Sequence, residues 1–179
     1  MSKVKLPTRE ECYNILEEYN VPRNIVRHCE IVNKVSVFLA KKLKESGLDV
    51  DVDLVDRASL LHDLDKLQTL ENGEHGLLTE DILTKKSYPM LGKVAKQHRF
   101  KYIHDPYLSW EAKIVNYADT RVLNDKIISI KERLADLRKR YKVKPKVRDK
   151  EAERLFRELE KDIFSRIGLK PKDLEKYVK

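Results

Sequence analysis

The chain has 179 residues, of which 41% are hydrophobic and 38% charged, enough apolar material for one domain with a sizeable core and too much for a disordered tail. No apolar run approaches the ~18 residues of a membrane span, and Met1 to Thr8 lacks the apolar segment of a secretory signal, so a cytoplasmic protein with no membrane association is expected. The net charge of +8 suits anionic partners such as nucleotides or nucleic acid and does not choose between them.

Glycine and proline are scarce (5 and 6) and helical periodicity runs through nearly the whole chain, which predicts an all-α, single-domain fold. Thr8 to Glu11 has capping-box spacing and opens a first helix to about Tyr19. Pro22 takes the first position of a second helix, in which Ile25, His28, Val32, Val35, Leu39 and Leu43 step by three and four until Gly47 ends it. Asp53 is the expected N-cap of a third, carrying Val55, Ala58, Leu61, His62 and Asp65. A polar loop, Thr69 to Glu74, precedes a helix from near His75 to about Lys86. Pro89 starts another, with Leu91, Val94, Ala95 and His98. Lys101 to Ser109 reads as a loop. Ser109 then caps a long helix with Ile114, Val115, Ala118, Asp119 and Val122 that continues through Ile127, Ile130, Leu134 and Leu137. The expected main domain is 1–141. Residues 142–179 supply a basic linker, Lys142 to Lys150, and amphipathic helices over about Asp149 to Gly168 and after Pro171. This tail is too short for its own core and should pack on the same domain. Cys12 and Cys29 fall in separate helices and read as buried thiols, in keeping with a reducing compartment.

The chemistry lies in where the histidines fall. Of five, His28, His62, His75 and His98 sit on or at the end of inward-facing stripes, and Asp63 and Asp119 are acidic residues in apolar surroundings. An ionised carboxylate is costly to bury alone, and a divalent metal removes that cost. Imidazole and carboxylate donors suit Fe, Mn, Zn, Ni or Co, with carboxylate-rich sets tending towards Mg or Mn. Six donors exceed one tetrahedral site. They suffice for a two-metal centre bridged by Asp63, with metals about 3.5–4 Å apart sharing a water of lowered pKa that can attack phosphorus. The second His-Asp pair, His104-Asp105, lies beside Pro106 off any apolar stripe and is read as non-functional.

The order His28, His62-Asp63, Asp119 resembles the H…HD…D signature of HD-domain phosphohydrolases. Ser59-Leu60-Leu61-His62-Asp63-Leu64-Asp65-Lys66 looks like the family's HDIG-type stretch, usually His-Asp-Ile-Gly-Lys. Glu74-His75-Gly76 and His98 match the extra histidines of its dinuclear branch, and Lys113 to Asp119 looks like the helix bearing the last aspartate. The resemblance covers about residues 8 to 140. It implies an HD-type helical bundle with a C-terminal helical extension. One metal would be held by His28, His62, Asp63 and Asp119, and a second by Asp63, His75 and His98. It makes Asp63 and Lys66 the catalytic residues, Lys66 contacting phosphate. Arg99, Asn116 and Arg121 are further candidates for substrate contact. Asp65 departs from the pattern, standing where the family usually has glycine. The Gly-Tyr-Pro element of the cyclic-di-GMP branch is absent.

The expected activity is metal-dependent hydrolysis of a phosphate ester or anhydride of a nucleotide or small phosphorylated metabolite by a metal-bridging hydroxide. One alternative is a phosphodiesterase for cyclic or dinucleotide substrates. The other is a non-catalytic, metal-containing regulatory protein that docks on nucleic acid through the run Arg138-Lys139-Arg140 with Lys142, Lys144, Lys146 and Arg148. Such a run is most often a solvated surface, so nucleic acid is not the expected partner. The helix after Asp119 offers a surface for a homo-oligomer.

Overall fold

A computed structural model describes residues 4–69, 75–141 and 147–178. The expected loop residues 70–74, with Glu74, and the basic residues 142–146, with Lys142, Lys144 and Lys146, lie outside the described residues. The protein is all-α apart from one very short hairpin. Helix α1 (Arg9–Glu18) begins on a capping box: the Thr8 hydroxyl accepts from the Glu11 amide, and Glu11 accepts from the Thr8 amide. Pro22 is the N-cap of α2 (Arg23–Glu45) and not its first helical residue. The third helix, α3 (Val52–Leu61), is capped by Asp51, whose extended backbone lets its carboxylate accept from the Leu54 amide. Asp53 falls in the first turn. That helix ends at Leu61, so His62, Asp63 and Asp65 stand in the turns that follow it and not on its face.

Helices α4 (Leu77–Lys85) and α5 (Pro89–Lys96) form a close antiparallel pair. Gly92 makes the approach possible, since a Cβ there would lie 2.9 Å from the Glu80 carbonyl oxygen. A 3-10 turn, Phe100–His104, occupies part of the expected loop, and α6 (Trp110–Thr120) follows, capped by Ser109.

The expected long helix stops here. Val122–Leu123 (β1) and Lys126–Ile127 (β2) pair antiparallel, Val122 opposite Ile127, around a two-residue turn in which Asn124 takes φ +56°. A new helix, α7 (Ile130–Tyr141), starts on its own reciprocal cap. The Glu132 carboxylate accepts from the Ser129 amide, and the Ser129 hydroxyl accepts from the Glu132 amide. The tail forms α8 (Val147–Ile167), beginning within the stretch expected to be a linker, then a 3-10 turn at Pro171–Asp173 and α9 (Leu174–Tyr177).

Helix α2 is the spine. Val32, Val35, Leu39 and Leu43, spaced by three and four, are fully buried against α3 and α6. Helix α8 packs on α2 and α6 through buried Ala152, Phe156 and Ile163. Among the described residues no helix is long and apolar enough to cross a membrane.

Arg121 binds these parts together. Its Nε donates to the Ile128 carbonyl at 2.6 Å, Nη1 to Glu160 Oε2 at 2.9 Å and Nη2 to the Pro171 carbonyl at 3.1 Å, with the Tyr117 hydroxyl alongside. Arg121, a candidate for substrate contact in the sequence, thus has its guanidinium engaged with these internal partners. Removing one member of a buried, hydrogen-bonded pair strands the other. Arg121→Ala should therefore lower unfolding free energy by about 3 kcal/mol in urea titrations. Glu160→Gln, which keeps an acceptor, should cost less.

Candidate metal centre

Five elements deliver six side chains to one place. His28 comes from α2, His62 and Asp63 from the turn ending α3, His75 from just before α4, His98 from just after α5 and Asp119 from the last turn of α6. Apart from His75, with a side chain 20% exposed, all are buried. Two triads have donor atoms within 4.8 Å of one another, His28-His62-Asp63 and Asp63-His75-His98, and Asp63 belongs to both. Asp119 Oδ1 lies 3.0 Å from His28 Nε2 and 3.7 Å from His62 Nε2. The structure thus brings together all six residues singled out in the sequence.

The four imidazoles share one arrangement. Each Nδ1 donates to an oxygen: His28 to the Asn124 carbonyl at 2.8 Å, His62 to the Ser59 carbonyl at 2.7 Å, His75 to Asp65 Oδ1 at 2.6 Å and His98 to the Ala95 carbonyl at 2.6 Å. With Nδ1 carrying the proton, each Nε2 presents a lone pair to the cluster. His75 Nε2 and His98 Nε2 face each other at 3.0 Å. Two lone pairs at that distance repel unless a proton or a cation stands between them. His62 Nε2 and Asp63 Oδ1 are buried with no hydrogen-bond partner. Divalent cations held by the two triads would satisfy these atoms, so the donor set fits a metal centre.

The electrostatics of the two carboxylates and of His98 agree with ligand duty. Burial alone would raise the Asp63 pKa, but the charges of His62 and Lys66 and the close approach of the His75 and His98 rings hold it well below the usual carboxylate range. Asp119 is likewise held low against burial, by His28 and His62 and by the charge of Arg133. Burial pushes the His98 pKa down to about 4, leaving a neutral imidazole ready to bind metal. His62 and His75 move the other way. Their burial is outweighed by Cys29 and Asp63 around His62, and by Asp63 and Asp65 around His75. Cys29, read from sequence as an ordinary buried thiol, stands beside the His62 ring.

Two residues act behind the donors. Asp65 is fully buried, and while Oδ1 accepts from His75, Oδ2 accepts from the Gly76 amide at 2.7 Å and the Thr79 amide at 2.9 Å. It therefore caps the start of α4 and fixes the His75 ring with one carboxylate. Gly76, at φ +82°, supplies the left-handed turn this requires. Asn116 donates to the carbonyls of Gln97, His98 and Arg99 at 2.8 to 2.9 Å, tying α6 to the segment that carries His98. Asn116, a candidate for substrate contact in the sequence, thus has its amide engaged with the scaffold. Arg99 is half-buried, with its stem against Gly76, and does not line the cavity described next. His104 meets Glu151 at 3.8 Å and stands outside the cluster.

A cavity of about 560 Å³ opens over the cluster, reaching His28, Asp63 and Lys66. Lys66 Nζ is 2.6 Å from Asp63 Oδ2. Burial would depress the Lys66 pKa, but Asp63 and Asp119 more than offset it, so the lysine stays charged. Arg133, from α7, also lines this cavity and was missed in the sequence because the hairpin that turns α7 back was read as helix.

Fold and cluster define a class: all-α proteins that gather histidines and aspartates around divalent metal. The HD domain model matches residues 25–137, and the chain belongs to the HD domain family, a superfamily of metal-dependent hydrolases. An uncharacterised protein of Methanocaldococcus jannaschii is 30% identical over 131 residues, 65% of this chain and 77% of the relative. A tRNA (cytidine(56)-2'-O)-methyltransferase of Picrophilus torridus is 29% identical over 141 residues, 71% of this chain and 40% of the relative. The protein of the same name from Thermoplasma volcanium is 29% identical over 85 residues, 47% of this chain and 23% of the relative. The chain thus spans less than half the length of either methyltransferase. No solved structure matches the chain.

Outer carboxylates that orient metal-bound histidines are typically worth about 10- to 100-fold in metal affinity. Asp65→Ala should weaken metal binding in that range, measured by competition with a chromophoric chelator. Asp65→Asn, which keeps an oxygen for one of its donors, should fall between.

Proposed function

We propose that this protein is a metal-dependent phosphohydrolase acting on a phosphate ester or anhydride of a nucleotide or small phosphorylated metabolite. The observation that carries this reading is the pair of triads sharing Asp63, with their Nε2 lone pairs converging beneath a cavity that contains a charged lysine. His28, His62, Asp63 and Asp119 would hold one metal, and Asp63, His75 and His98 a second. Bound there, the metals supply Lewis-acid activation of water and of the phosphoryl oxygens.

The chain's own groups do the rest. The Nδ1 hydrogen bonds fix the rings, so no ordering of histidines is left for the moment of reaction. Lys66 places a positive charge at the cavity wall, where it can stabilise negative charge growing on phosphoryl oxygen as water's oxygen adds to phosphorus and the P–O bond to the leaving group breaks. Either an alcohol or a shortened phosphate leaves, taking a proton from water.

A second reading is favoured by the two methyltransferases, whose names give tRNA as their substrate. In this version the same chemistry acts on a phosphate carried by RNA, and the charge of +8 suits such a polyanion.

Metal analysis of protein purified without chelator should find two equivalents per chain. A panel of p-nitrophenyl phosphate, bis(p-nitrophenyl) phosphate, nucleotides and 3'- or 5'-phosphorylated RNA then separates the two readings. Asp63→Ala should lose metal and hydrolysis together. A variant that hydrolyses as well as the parent would overturn the proposal.

A further inference from the structure

The wall of the cavity holds more positive charge than one phosphoryl group requires. Arg23, Arg27, Lys66, Arg133 and Arg140 line it, and among the described residues the only lining carboxylate outside the metal cluster is Asp125. These cations come from both ends of the sequence: Arg23 and Arg27 from the start of α2, Lys66 from the turn after α3, Arg133 and Arg140 from α7. Among the described residues the one ring in the lining is His28, a member of the metal cluster, and Ile25 and Leu123 are the apolar lining residues. A base would find charge here and little to stack on.

The cations are available. Arg23 makes no hydrogen bond or ion pair among the described residues, and the helix it opens has no side-chain cap, so the positive end of α2 adds to the same wall. Arg27 pairs with Asp125 at 3.1 Å and Arg140 with Asp136 at 2.6 Å. Both arginines are at least half exposed, and such pairs exchange readily for a phosphate. Arg133 is 14% exposed. Its Nη2 lies 3.7 Å from Asp119, while its Nε is buried without a hydrogen-bond partner. A planar guanidinium on the cavity wall offers paired N–H donors in a geometry that suits an oxyanion.

We infer that the cavity recognises a chain of two or more phosphates, as in a nucleoside di- or triphosphate, by arginine contacts to the phosphates beyond the reacting one and with little regard for the base. The volume of about 560 Å³ is in the range of nucleotide-sized sites. The inference takes its reacting phosphate from the hydrolase reading above, but its test is a binding measurement.

The probes are orthophosphate and methylene-bridged di- and triphosphate analogues of adenosine and cytidine. They are titrated calorimetrically into the full chain, with Mn²⁺ in excess over protein and probe so that the phosphates do not strip the metal. Affinity should rise roughly tenfold with each added phosphate and differ little between the two bases. The double variant Arg23→Gln/Arg140→Gln should flatten that rise, and Arg133→Gln should flatten it further. Circular dichroism checks that each variant is folded. A flat dependence on phosphate number overturns the inference, as does a strong preference for one base or a rise that survives all three substitutions. The two readings fail separately. Tight, arginine-dependent binding without hydrolysis of any panel compound removes the hydrolase and leaves the binding site. Hydrolysis of simple monoesters with no gain from longer chains does the reverse.

Discussion

The rest of the structure depends on the locked tautomer of four histidines. An imidazole offers metal one lone pair only if its other nitrogen holds the proton, and that choice is made by whatever accepts the proton's hydrogen bond. Here the acceptors are three backbone carbonyls and one carboxylate. For His62 and His98 the carbonyl lies three residues back, a product of the chain's own turn at the end of a helix. For His28 it belongs to Asn124, in the hairpin far along the chain. The consequence is a set of Nε2 atoms that converge on one place, where a proton or a cation between them relieves their mutual repulsion.

Holding such a cluster takes a scaffold that is stiff from several directions. Helix α2 brings His28 in on the same buried face that carries Val32 and Val35. The tie from Asn116 to three successive carbonyls fixes where His98 enters, and Tyr107 donates to Asn116 to hold that amide in place. Arg121, two residues after Asp119, anchors the end of α6 to the tail through Glu160 and the Pro171 carbonyl. The C-terminal helices thus meet the metal site indirectly, through α2, which carries His28, and through the end of the helix that carries Asp119.

Much of this was legible in the sequence because the informative residues follow local rules. His28 lies on a 3.6-period stripe that faces inward, the other three histidines stand next to the ends of helices, and a His-Asp pair flanked by Leu60, Leu61 and Leu64 is distinguishable from His104-Asp105 beside a proline. The hairpin was illegible because two-residue strands leave no alternating pattern, and Ile127, Ile130 and Leu134 happen to keep helical spacing across it. Two signals stood against that reading: Asn124-Asp125 is a turn pair, and Ser129 to Glu132 has capping-box spacing. The partners of Arg121 and Asn116 were illegible for another reason: they lie in distant or following segments, Ile128, Glu160 and Pro171 for Arg121 and the Gln97 to Arg99 carbonyls for Asn116.

Asp65 was the residue the sequence could not assign, and its role follows from spacing that only the fold supplies. It lies ten residues before His75, yet its carboxylate meets both that ring and the first amides of α4. A glycine there would leave the His75 Nδ1 and two helix-end amides to find other acceptors in a buried place. Binding all three to a single carboxylate makes the position of α4 and the orientation of one donor to the second triad the same structural fact. Any shift of α4 then moves His75 relative to Asp63, 2.9 Å away, and with it the shared ligand of both triads. The departure from glycine is thus a coupling between helix placement and metal geometry, which a residue chosen only for the turn could not provide.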